Sequence, residues 1–249
     1  SKQRLLAAIA EGILLIALFL SYSRAAWVSV GVALVVLVLV KLRIRFQWIA
    51  LATVALVVVF FLFRFEFIDK LEKNKQDASA NFIEHVQSIS NISSDASNLE
   101  RINRWNSALR MFAERPFFGW GPGTYQFEYA PFQRANEKTI ISTDLGDMGN
   151  AHSEYIGPLA ESGVPGLISV LFILVTVIYT GLNVYKKAVS CQRRILSLSI
   201  SLALITYFTH GTMNNFLNTD KASVPFWGLV AILTALDLYY ASSEKDVAR

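Results

Sequence analysis

Ser162-GVPGLISVLFILVTVIYTGLNV-Tyr185 decides the fold, because it runs for twenty-four residues without a charged side chain. A helix needs roughly 17–25 predominantly apolar residues to cross the hydrocarbon core of a bilayer. Five further uncharged runs share this character: Gly12–Ser23, Ala25–Val40, Phe46–Phe63, Ile195–Thr219 and Ala222–Leu236. Those near or just under the limit reach it when flanking Lys and Arg side chains extend to the membrane surface. The first run extends back to about Leu5 if Glu11 is accepted near its end. The expected fold is therefore all-α, with about six transmembrane helices. Three lie in residues 1–64 and three in 163–241, separated by a loop domain at 65–162 and followed by a tail at 242–249. The soluble alternative is a large α-domain of buried helices, but six such runs exceed what a core of 249 residues needs.

Composition agrees. Apolar residues make up 53% of the chain and charged residues 17%, against about 25% charge in soluble domains. This balance excludes a disordered chain, a fibrous repeat and a disulfide scaffold; a single cysteine, Cys191, excludes an internal disulfide. The first span starts almost at Ser1, and Tyr22-Ser-Arg24 does not resemble a signal cleavage site. The expectation is the C-terminal part of a longer membrane protein.

The net charge of +4 invites a nucleic-acid reading until the charges are placed. Short basic loops mark the cytoplasmic side of a membrane protein. Lys2, Arg4, Lys41, Arg43, Arg45, Lys186, Lys187, Arg193, Arg194, Lys245 and Arg249 all fall on one side if six spans alternate. The opposite short loops hold only Arg24 and Lys221. Between Arg64 and Glu161, ten basic residues face fourteen acidic ones, so that loop is net negative. The surplus is a topology signal, and no nucleic-acid partner is expected. Cys191 falls on the reducing side, where it stays a free thiol.

The long loop has two parts. Glu66–Leu99 is polar and Ser/Asn-rich, read as a charged helical extension and then a connector carrying His85; its Asn91-Ile-Ser93 sequon is read as chance. Beyond it, Trp105, Ala108, Leu109, Phe112 and Ala113 follow the spacing of an amphipathic helix, which Pro116 ends. Gly119-Trp-Gly-Pro-Gly123 demands a tight turn. Asn150-Ala-His-Ser-Glu-Tyr155 opens another helical stretch, which Glu161-Ser-Gly-Val-Pro-Gly166 closes at the mouth of the fourth span.

Three features can carry chemistry. Arg24, in the turn between the first two spans, is either an interfacial anchor beside Trp27 or an anion contact, since guanidinium grips phosphate by two hydrogen bonds. Arg101 and Arg104 are either a solvated helix face or a second anion contact. His152 is either an inert loop residue or a group that takes a proton from a hydroxyl near neutral pH. His210, near the outer end of the fifth span, is a weaker candidate. The sequence shows no HExxH, Asp-x-Asp pair, Cys/His cluster or P-loop, so no metal and no cofactor are expected.

Together these stretches resemble the O-antigen ligase and polymerase family of bacterial inner-membrane glycosyltransferases. Four carry the likeness: Ser23-Arg-Ala-Ala-Trp27; Arg101-Ile-Asn-Arg-Trp105 with Ala108-Leu109; Arg115-Pro-Phe-Phe-Gly-Trp-Gly-Pro-Gly123; and Ala151-His-Ser-Glu-Tyr155 continuing to Glu161-Ser-Gly-Val-Pro-Gly166. The likeness runs from about Leu5 to Leu236. One departure is Ser153, where the family often has Asn after the histidine.

The resemblance implies a membrane-embedded, largely helical glycosyltransferase in the inner membrane, its large loop in the periplasm. Its donor would be a glycan on undecaprenyl pyrophosphate. Its acceptor would be a sugar hydroxyl on lipid A–core in a ligase, or on another lipid-linked repeat unit in a polymerase. Arg24 and Arg101 would stabilise pyrophosphate charge and His152 would act as base, with Glu154 and Glu161 as runners-up. Arg104, Tyr155, Gly121 and Gly123 would shape the substrate site. The competing class is a non-catalytic polysaccharide transport or export component. Transporters place ionisable residues at mid-membrane, whereas here Glu11, His210 and Asp237 come near span ends.

Overall fold

The computed structural model describes residues 2–21, 23–43, 96–143 and 149–247. The expected span at Phe46–Phe63 and the connector with His85 and Asn91 lie outside the described residues. Those described form helices and turns with no strand among them, as an all-α fold requires. The helices are α1 (Lys2–Leu20), α2 (Arg24–Lys41), α3 (Ala96–Glu114), α4 (Tyr125–Glu128), α5 (Ile156–Lys187), α6 (Cys191–His210) and α7 (Asp220–Val247). Short 3-10 turns occupy Ala130–Phe132 and Phe216–Asn218.

Among the described residues, three helices are long and apolar enough to cross a membrane: α1, α5 and the Asp220–Tyr239 part of α7. The second expected span is apolar but shorter, at Ala25–Lys41. The fifth is less apolar than its uncharged run implied. Helix α6 takes in Arg193 and Arg194 at one end and stops at His210, so the run's last residues form turns instead. Two serines within α6, Ser197 and Ser201, have a packing role. Ser197 Oγ donates to the Gly181 carbonyl of α5 at 2.8 Å, and Ser201 lies directly over Gly181. Small residues at such a seam let two backbones approach closely.

Helix α6 is the centre of the bundle, packed against α2, α5 and α7. Val177, Ile200, Leu204, Phe208, Phe226 and Leu233 form its buried core. By contrast α1 buries no side chain; its Phe19 meets Trp27 of α2 edge-on, with ring centroids 6.2 Å apart. A second core joins the loop domain to the start of α5 through Ala108, Met111, Tyr125, Tyr129, Ala151 and Ala160.

The junction between the two cores is a kink. Gly163 interrupts α5 with φ 66° and ψ −155°, a conformation open to glycine alone. A Cβ there would come within 2.5 Å of the Pro116 and Phe117 carbonyl oxygens. The Val164 N–H donates to the Pro116 carbonyl at 2.9 Å, and Pro165 follows in the restarted first turn, where a missing N–H costs nothing. The stretch from Glu161 to Gly166 thus bends the helix rather than closing it. Gly163→Ala is expected to destabilise the protein by about 1–3 kcal/mol, read as a lower unfolding temperature in detergent.

Candidate active site

Helix α3 buries an unusual face. Glu100, Asn103, Arg104, Ser107, Ala108 and Met111 turn inward, at helical spacing, while Leu109 is 44% exposed and Ala113 is also at the surface. The expected apolar stripe is therefore only partly the buried one, because hydrogen bonding, not apolar burial, satisfies the first half of the helix. The Arg104 Nε donates to Glu100 at 2.6 Å, one turn earlier. Glu100 also accepts from Thr139 Oγ1 at 2.9 Å and from Ser142. Asn103 Nδ2 donates to Gln133 at 2.7 Å. Burial pushes the Glu100 carboxyl up, but the hydrogen bonds from Ser142, Arg104 and Thr139 and the Arg104 charge outweigh it and hold the group ionised.

Arg104 is thus a buried structural cation, not a solvated one. Its guanidinium lies over the Tyr129 ring, 4.4 Å from the centroid. Tyr125 stacks on Tyr129 at 5.2 Å and donates its hydroxyl to the Arg104 carbonyl at 2.8 Å. Glu100→Gln leaves a buried guanidinium without its counter-charge. It is expected to cost about 1–3 kcal/mol, checked by thermal unfolding in detergent.

Arg101 differs. It is half-buried, and no hydrogen bond or ion pair among the described residues engages its guanidinium. Its charge acts instead on His152.

His152 is held from every side. Its backbone is left-handed, with φ 46°, which costs a non-glycine residue roughly 1–2 kcal/mol. Its N–H donates to Asn150 Oδ1 at 3.0 Å, and its carbonyl accepts from Trp105 Nε1 at 3.4 Å. Its neighbours Ala151 and Ser153 are buried. Ser153 Oγ accepts from the N–H groups of Tyr155 and Ile156, both at 3.3 Å, so it caps α5. Strain so over-determined is characteristic of functional positions. Burial, then the Arg101 and Arg104 charges, lower the His152 pKa to about 4, with Glu100 opposing. The ring is neutral at pH 7, so its free nitrogen lone pair can accept a hydrogen bond from a hydroxyl.

Glu161, Glu154 and Tyr155 are each hydrogen-bonded to neighbouring elements. Glu161 accepts from the Tyr125 N–H at 3.0 Å, at the start of α4, and its carbonyl accepts from Gly121 at 2.7 Å. A Cβ on Gly119 would lie 2.4 Å from the Glu161 backbone, so the glycine turn can seat here only as glycine. Gly121 and Gly123 continue that turn with φ 116° and 75°. Glu154 accepts from the Tyr207 hydroxyl at 2.5 Å and the Leu217 N–H at 2.9 Å. Tyr155 donates to the Phe208 carbonyl at 2.9 Å; burial, then Glu154, push its pKa up to about 12, so it serves as a donor only. Arg24 opens α2, where the Ser23 hydroxyl caps the first turn at 3.4 Å from the Ala26 nitrogen. The expectation for the Arg24 side chain lies outside the described residues.

Trp105 thus ties the His152 loop to the helix that carries Arg101, while Glu154 and Glu161 are engaged by the Tyr207 hydroxyl and by backbone N–H groups. Sequence reading missed Glu100 and Asn150. Glu100 was legible as the i, i+4 partner of Arg104.

The sequence profile of the O-antigen ligase family matches residues 9–171, about two-thirds of the chain. The chain belongs to the O-antigen ligase family. This family comprises glycosyltransferase-like ligases and polymerases, and its matched region holds Arg24, Arg101, His152 and Glu161 together. Family and apolar helices together make this a membrane protein. An uncharacterized protein of Haemophilus influenzae is 25% identical over 128 residues, half of this chain. The chain spans 30% of that relative's length. No solved structure matches the chain.

Proposed function

We propose that this O-antigen ligase family member transfers a glycan from undecaprenyl pyrophosphate to a sugar hydroxyl at the periplasmic face of the bacterial inner membrane. The observation that carries the reading is His152, half-buried in strained left-handed backbone and tied through its carbonyl to Trp105, one turn along α3 from Arg101. His152 takes the proton of the acceptor hydroxyl. That oxygen bonds to the anomeric carbon of the donor sugar as the carbon–oxygen bond to pyrophosphate breaks. Undecaprenyl pyrophosphate leaves with its electron pair, and Arg101 and Arg24 stabilise the charge. Guanidinium groups supply this without a metal, because the leaving group is already activated.

Six spans with the large loop outside, as the basic loops indicate, would bring Arg24 at the head of α2 and the α3–α5 loop to the same membrane face. Lipid A–core is the acceptor in the ligase reading, and another lipid-linked repeat unit in the polymerase reading. Lipopolysaccharide banding from a deletion strain tests them. Loss of the whole ladder from the core, with lipid-linked polymer accumulating, supports a ligase. Core bearing a single repeat unit supports a polymerase. An unchanged ladder, with lipid-linked glycan still delivered, counts against both.

A further inference from the structure

A second imidazole, His210, adjoins the turn that packs on the His152 loop. His210 ends α6, beyond the region the family profile matches. The loop that follows it is bolted to the His152 loop. The Glu154 N–H donates to the Gly211 carbonyl at 2.8 Å, and the Glu154 carboxylate accepts from Leu217 at 2.9 Å.

The His210 ring has fixed surroundings. It stacks on Phe216, with centroids 5.4 Å apart and planes 22° from parallel. Its Nε2 lies 3.4 Å from Nδ2 of Asn214, which is itself buried. An amide N–H aimed at Nε2 needs that nitrogen's lone pair, so the neutral ring carries its proton on Nδ1. The ring also forms part of the wall of a cavity of about 440 Å³ between α2, α6 and α7. The rest of that wall is mostly apolar, including Ala26, Val30, Leu204, Phe226 and Leu229.

His210 thus stands where hydrogen-bonded polar loops meet an apolar cavity between helices. A lipid pyrophosphate has the same boundary, charged oxygens on one side and hydrocarbon on the other. We propose that His210 contacts the donor, giving its Nδ1–H to a phosphate oxygen while the first isoprene units enter the α2/α6/α7 cavity. The inference rests on the lipid-linked donor proposed above.

Binding of undecaprenyl pyrophosphate and of undecaprenol to the full chain in detergent separates the two ideas. His210→Phe keeps an aromatic stack on Phe216 but has no N–H; His210→Gln keeps a donor. His210→Phe is expected to weaken undecaprenyl pyrophosphate about tenfold or more and leave undecaprenol unchanged, with His210→Gln recovering most of the loss. Equal pyrophosphate affinity in His210→Phe and the native protein, or parallel loss for both lipids, overturns the contact. A native protein that binds undecaprenyl pyrophosphate no better than undecaprenol overturns the lipid-donor reading and this inference with it. Modification of His210 by diethyl pyrocarbonate, mapped by mass spectrometry on the native protein, needs no variant. Protection by undecaprenyl pyrophosphate but not by undecaprenol supports the contact, and equal protection refutes it.

Discussion

His152→Ala is expected to lower the rate of glycan transfer by about 10²–10⁴-fold, the usual contribution of a positioned general base. The fold should survive, because what the structure uses at this position is backbone. Asn150 holds the N–H and Trp105 holds the carbonyl, and neither contact involves the ring. Alanine meets the same Cβ clash at φ 46° as histidine does, so the variant should unfold near the native temperature. Expression and unfolding temperature in detergent check the fold, and a reconstituted assay with labelled lipid-linked glycan checks the rate. Near-native transfer in His152→Ala would end the base assignment. Glu154 and Glu161 are poor substitutes, because each already accepts backbone N–H groups that a proton transfer would disturb.

Arg101→Ala is expected to cost about 2.7–4 kcal/mol in transition-state stabilisation, a fall of roughly 10²–10³ in rate. Arg101→Lys should recover little, because a single ammonium cannot reproduce two parallel hydrogen bonds to phosphate. A second consequence concerns pH. In the native protein His152 stays unprotonated down to about pH 4, with burial the larger cause and Arg101 the next. Removing the Arg101 charge lets the histidine pKa rise toward its ordinary value, so the acid limb of transfer moves to higher pH. The pH profile of Arg101→Gln, set beside that of the native protein, reads this directly. A limb that stays in place would show that Arg101 does not act on His152.

The helices were legible because apolar runs without charge admit few other readings, and α1, α5 and the Asp220–Tyr239 part of α7 are long and apolar enough to cross a membrane. The bundle's finer composition was not. Helix α6 reads as another uncharged run, yet its Ser197 and Ser201 face Gly181 rather than lipid. Periodicity also misled on α3, where an apolar stripe drew attention away from a buried polar face. Only the three-dimensional arrangement shows that Ser142, Thr139 and Gln133, some thirty to forty positions later, complete the Glu100–Arg104–Asn103 network. The same is true of Arg101 and Arg104. Both stand in one motif, but Arg104 turns inward to Glu100 and Arg101 does not. His152 stood out in the motif from the start. Its left-handed backbone and its neutrality come from neighbours the sequence does not place beside it.

The most direct measurement follows labelled glycan in proteoliposomes holding the full protein, undecaprenyl-pyrophosphate-linked donor and lipid A–core. The expected result is a new covalent glycan–acceptor product, with free undecaprenyl pyrophosphate released in equal amount. Label that crosses the membrane still attached to its carrier, with no new product, would contradict transfer chemistry and favour an export component.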